Sequence, residues 1–314
     1  MQIIFTSLQS ILSIIIMILI GYFLTKKKWF DNNASKLFSK IVFNISLPAL
    51  MIENLCTNFN RQKFSSLSKG LMVPFLSMGI SYIIGITLSK IIKVKKGRRG
   101  TFVSMFFVSN TIFIGLPVNL ALFGDKSVPY VLLYYVVNTS FFWTLGTYGI
   151  SNDGHGGNNK ILSSKTLKQI FTPPLIGFLV GLSIIFANIN LPKFILDTCK
   201  YLGNLTTPLS MMFIGITIYS VNLKEVKFSL DMFAILIGRF LVSPMLVIIL
   251  TWFFPIPDLM KQVFVMQAAM PVMTNTSIVA AKCGGDYEYA AIMTVITTIA
   301  CVFIIPFYML LLNL

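Results

Sequence analysis

Runs of about 20 mostly apolar residues follow one another along this chain, each long enough to cross a bilayer as a helix. Ten can be marked, at 3–25, 37–56, 70–92, 101–123, 128–150, 169–188, 198–220, 229–254, 262–282 and 289–313. Hydrocarbon offers backbone N–H and C=O groups no partner, so each run must satisfy its own hydrogen bonds as a helix. The expected fold class is an all-α polytopic membrane protein of ten transmembrane helices. Charged residues make up 11% of the chain and mean hydropathy is +0.82, against about 25% charged in soluble domains. The longest polar stretch, about 151–169, is too short for a soluble enzymatic domain, so no enzyme activity is expected.

A net charge of +15 would suit nucleic acid, but the basic residues sit in loops between apolar runs. There they read as topology signals and contacts to anionic membrane lipid, with no nucleic-acid partner. With the N-terminus outside, sixteen loop Lys and Arg fall on the cytoplasmic side and seven on the outer side. Both termini are therefore expected outside the plasma membrane. Met1–Gln9 carries no positive charge while Lys26, Lys27 and Lys28 follow the first run, which is not a signal-peptide pattern. Cys56, Cys199, Cys283 and Cys301 lack metal-ligand spacing, so no metal or cofactor is expected.

The segment Ser151–Lys160 is rich in Gly and Asn and divides the runs five and five. It reads as a linker, giving repeats at 1–150 and 169–314 around a cytoplasmic connection at 151–168. An odd number of spans per half puts the second half in opposite orientation, the 5+5 inverted repeat of many secondary transporters. Ser46-Leu47-Pro48 in run two is echoed by Thr207-Pro208-Leu209 in run seven, and Ser109-Asn110-Thr111 in run four by Thr274-Asn275-Thr276 in run nine.

Runs four and nine are also interrupted by glycine and proline, at Gly115-Leu116-Pro117 and at Pro271. Broken backbone at membrane depth persists only where it lines a protein-enclosed cavity, and a matched pair marks a transporter's binding site. Unwinding near Gly115–Pro117 and Pro271–Thr274 would bring helix N-termini, which attract anions, to mid-membrane. Asn110, Thr111, Asn275 and Thr276 add neutral donors, which together suit a small carboxylate. Asn138 in run five follows the first break. Arg239, deep in run eight, reads as a counter-charge for an anion, as a clamp on backbone carbonyls, or as a snorkelling side chain. Glu53, near the outer end of run two, is an interface residue or a coupling group. His155 lies in the linker. No run carries an acidic pair or a His–carboxylate pair, which argues against a dedicated cation/proton antiporter.

Four stretches carry a resemblance. They are SNTIFIGLPVNLALFGD from Ser109, GRFLVSP from Gly238, QAAMPVMTNTSIVAAKCGGD from Gln267, and IIPFYMLLL from Ile304. Together the chain resembles the auxin efflux carrier family, which includes bacterial malate and malonate permeases and plant auxin exporters. The resemblance implies a homodimer and elevator-type alternating access. Helices one, two, six and seven would form a scaffold, and helices three to five and eight to ten a transport domain crossing at broken helices four and nine. It implies substrate contacts at Asn110, at Asn138, and at Pro271 and its neighbours. Many members begin helix six with Asn-Pro where this chain has Thr172-Pro173, and Met51 stands where plant members have a polar residue.

The expected function is a secondary transporter moving a small organic anion such as malate, malonate or an auxin-like carboxylate. The alternative is a sodium- or proton-coupled organic anion symporter of a similar crossover fold. An inside-negative potential favours anion efflux by about 2.3 kcal/mol per charge per 100 mV.

Overall fold

A computed structural model describes residues 2–58, 68–154, 170–220 and 228–312. Most of the linker at 151–168, with His155, lies outside the described residues. Among the described residues every regular element is a helix, joined by a single isolated β-bridge. Each of the ten apolar runs carries helix, and five helices are long and apolar enough to cross a membrane.

In chain order the elements are α1 (Gln2–Lys26), α2 (Asn32–Asn58), α3 (Met72–Ile91), α4 (Arg99–Phe107), α5 (Thr111–Phe123) and α6 (Asp125–Asp153). After the linker come α7 (Pro173–Phe186), α8 (Lys193–Asn204), α9 (Thr206–Ser220) and α10 (Leu230–Phe253). The last three are α11 (Asp258–Ala268), α12 (Asn275–Cys283) and α13 (Tyr287–Leu311). Runs four and nine are thus split into α4/α5 and α11/α12. Run seven is split as well, into α8 and α9 at Leu205, where Pro208 falls in the first turn of the second piece.

Prolines leave a recurring mark inside the long helices. The π-turns Val42–Ser46, Thr111–Gly115 and Gly238–Val242 each end two residues before a proline, at Pro48, Pro117 and Pro244. Proline removes one i→i−4 bond, and the wider turn absorbs the clash. At Pro244 the freed acceptor is Phe240 O, which takes a 2.6 Å bond from the Tyr308 hydroxyl of α13.

This chemistry corrects one expectation. The first break does not fall at Gly115–Pro117. Gly115 is helical (φ −62°, ψ −44°), and the chain is instead extended at Val108 (φ −97°, ψ 134°). Pro117 sits close enough to the start of α5 that a π-turn accommodates it, so no unwinding is required there. The second break runs over residues 269–274 and includes Pro271, as expected.

α1 lies along α9, and α2 is flanked by α7 and α8. The α7–α2 contact is close because a side chain at Gly177 would come within 2.5 Å of the Pro48 Cα. The larger apolar core gathers α3, α4, α6, α10, α11 and α13 with residues of α1, α5, α9 and α12, and a smaller one joins α2, α5, α6 and α7 with Val263 of α11.

Candidate functional site

The two broken segments cross as short antiparallel strands. Ser109 bridges Val272, and the Asn110 N–H donates to Pro271 O at 2.8 Å. Four helix ends meet there, the C-termini of α4 and α11 and the N-termini of α5 and α12.

Exposed backbone at this depth must be satisfied by the protein itself, and the partners can be named. The Asn138 carboxamide grips Ser109 on both sides, accepting from its N–H at 3.0 Å and donating to its C=O at 2.9 Å. Thr297 Oγ1 accepts from the Val272 N–H at 3.1 Å. Asn110 caps α5, its Oδ1 accepting from the Phe113 N–H at 3.2 Å, while its Nδ2 donates to Thr274 Oγ1 at 2.9 Å. One side chain thus ties the two breaks together.

The carbonyl ends are held by Arg239, which is fully buried. Its Nη2 donates to Ala268 O at 2.5 Å and Met270 O at 3.1 Å, Nε to Met270 O at 3.1 Å, and Nη1 to Phe106 O at 3.4 Å. Three carbonyls at or just beyond two helix C-termini form a negative pole, and the guanidinium neutralises it. Of the three readings of Arg239, the geometry matches the backbone clamp.

Beside the N-terminal ends lies a narrow cavity with about 20 Å³ of space. The crossing supplies Asn110, Thr111, Ile112, Phe113, Met273, Thr274 and Asn275. The other walls are Phe43 of α2, Tyr135, Thr139 and Trp143 of α6, and Thr172 at the head of α7. Tyr135 and Thr172 share a hydroxyl hydrogen bond of 2.7 Å. Phe43 stacks on Phe113 at 6.2 Å between centroids. No charged residue is among the described lining residues.

The candidate residues therefore divide. Asn110, Thr111, Thr274 and Asn275 line the cavity. Pro271 and Asn138 lie behind it and shape the crossing backbone. Gly115 and Pro117 lie along α5 away from it, with Gly115 packed so closely on Gln267 that a side chain there would overlap the carboxamide. Thr276 is fully buried and does not line it. Glu53 is also outside, its carboxylate accepting from Thr57 Oγ1 at 3.4 Å within α2. The sequence reading missed Tyr135, Thr139 and Trp143, although their i, i+4, i+8 spacing puts them on one helix face. It also missed Phe43, for which no local signal existed.

A family model described as membrane transport protein matches residues 6–309. The chain belongs to this family. Among its relatives, an uncharacterized transporter of Methanocaldococcus jannaschii is 28% identical over 293 residues, covering 92% of this chain and 93% of the relative. An uncharacterized transporter of Methanothermobacter thermautotrophicus is 24% identical over 307 residues, covering 96% and 97%. This member of the membrane transport family is thus a multi-pass transporter and is matched along nearly its whole length.

Proposed function

We propose that this chain is a secondary transporter for a small organic anion and that the cavity at the crossing is its binding site. One observation carries the reading: the N-terminal ends of α5 and α12 meet at a small, uncharged cavity whose polar side-chain groups are hydroxyls, carboxamides and the Trp143 indole N–H. Two half-helix dipoles with neutral donors suit one carboxylate. The rest of the wall is aromatic and aliphatic, which suits an apolar body. Arg239, the buried cation nearest the crossing, is engaged by carbonyls, so a second carboxylate would meet no counter-charge. Of the acids considered, a monocarboxylate of the auxin-like kind fits this lining better than malate or malonate.

In this reading the ten helices form a 5+5 inverted repeat in the plasma membrane. The group of α1, α2, α7, α8 and α9 is the static scaffold of a homodimer. The remaining helices carry the crossing past it, and the wall made by Phe43 and Thr172 is the surface against which substrate is enclosed and released.

The test is uptake of radiolabelled indole-acetate, malate and malonate into proteoliposomes under imposed voltage, pH and Na⁺ gradients, with Asn110→Ala beside the native chain. Indole-acetate is expected to move, and Asn110→Ala to abolish movement while the protein stays monodisperse. Movement of dicarboxylates alone would overturn the single-carboxylate assignment. Normal transport by Asn110→Ala would overturn the site, and no movement of any acid would overturn the substrate class. The effective gradient identifies the coupling ion.

A further inference from the structure

A second, larger cavity of about 390 Å³ opens between α3, the start of α4 and the end of α6, and none of the residues at the crossing lines it. Its lining is two-tiered by chemistry. Ile86, Val103 and Leu145 are apolar, whereas Lys96 and Arg99 are exposed cations at the end of the α3–α4 loop. Tyr82 and Tyr148 add phenolic hydroxyls.

The charges here are only partly cancelled, two cations standing against one carboxylate. Asp153 is the acid among the lining residues, and its carboxylate is engaged by α4. Its Oδ1 accepts from the Gly100 N–H at 2.8 Å, and its Oδ2 from the Thr101 N–H at 2.6 Å and the Thr101 hydroxyl at 2.8 Å. The neighbouring Arg98 is committed elsewhere, to Asp286 at 2.6 Å and Asp231 at 3.5 Å, with its guanidinium 4.4 Å from the Tyr289 ring centre. Among the described residues neither Lys96 nor Arg99 has an ion-pair partner. The loop follows Ile91, the last residue of α3, a helix long and apolar enough to cross a membrane, so with α3 spanning a bilayer the cavity mouth would lie near the headgroups.

Two unpaired cations beside an apolar lining, at the edge of a bilayer, match an amphiphilic anion. A free phosphate would use the cations and leave the apolar wall wet. A phospholipid would place its phosphate between Lys96 and Arg99 and the start of an acyl chain against Ile86, Val103 and Leu145. We propose that this cavity is a binding site for the headgroup of an anionic phospholipid. The site is independent of which substrate the crossing binds.

The experiment is native mass spectrometry of the full chain titrated with phosphatidylglycerol or phosphatidylcholine, with inorganic phosphate and glycerol phosphate as soluble competitors. Two double variants are compared, Lys96→Gln with Arg99→Gln, and Lys90→Gln at the end of α3 with Lys95→Gln in the loop. Each charge near an anionic headgroup is worth about fivefold in affinity. The first pair is therefore expected to weaken phosphatidylglycerol binding about 30-fold, while the second changes it less than about threefold and neither soluble anion competes. Equal weakening by both pairs would overturn the site in favour of diffuse charge. Equal binding of phosphatidylcholine, or displacement of lipid by millimolar phosphate, would overturn the assignment to an anionic lipid.

Discussion

Replacing Arg239 by methionine keeps most of the side-chain length and removes all donors. Four N–H···O contacts to Phe106 O, Ala268 O and Met270 O disappear, leaving three buried carbonyl oxygens. An orphaned buried acceptor costs about 1–3 kcal/mol, giving about 3–9 kcal/mol for three. The variant no longer buries a cation, which offsets part of this, so a net loss of about 3–5 kcal/mol is expected. Arg239→Lys keeps the charge but offers a point donor in place of a planar fork, and should lose about half as much. Reversible unfolding in mixed micelles, followed by tryptophan fluorescence, measures both variants against the native chain. The clamp predicts stability in the order Arg, Lys, Met. A methionine variant as stable as the native protein but unable to bind the anion would refute this reasoning and make Arg239 the substrate's counter-charge.

Asn138→Leu keeps the branched shape but removes both bonds to the Ser109 backbone and should destabilise by about 2–5 kcal/mol, because two buried backbone groups lose their partner; the same unfolding assay reports it. Gly177→Val forces α7 away from Pro48 and should cost about 2–4 kcal/mol, whereas Gly79→Val, where a Cβ meets nothing within 4 Å, should cost under about 1 kcal/mol. Asp31 caps α2, and the Ala34 N–H, the largest cause, holds its carboxyl below the ordinary value of 3.8. A depressed carboxyl contributes stability above its unfolded value and loses it as pH falls through its folded one. Melting curves of native protein and Asp31→Ala should therefore differ at pH 6 and converge below about pH 3.8.

The sequence reading reached the crossing because hydrocarbon makes a broken helix conspicuous. Asn110, Thr111, Thr274 and Asn275 were identifiable as polar residues in apolar runs beside Pro and Gly. The Gly–Pro signal lies about one and a half turns beyond the actual first break, because a proline near a helix start is absorbed by a π-turn without unwinding. Arg239 was recognised as an oddity, but its role depends on carbonyls 29 to 133 residues away, which no local pattern encodes. The aromatic wall was opaque for a related reason: in a chain with 28 Phe, 11 Tyr and 3 Trp, ring type alone does not tell a cavity from a lipid-facing surface.

The bond from the Asn110 N–H to Pro271 O joins residues far apart in the order of synthesis. At about 5–20 residues per second, the ribosome reaches Pro271 roughly 10–30 s after Asn110. Throughout that interval the first break exists without its partner strand, and Phe106 O without the guanidinium that will hold it. The nascent first half therefore enters the bilayer with an unhealed seam, and whatever inserts the chain has to shelter that seam until the second half arrives. A chain truncated before residue 271 is expected to be a substrate for membrane quality control rather than a stable half-transporter.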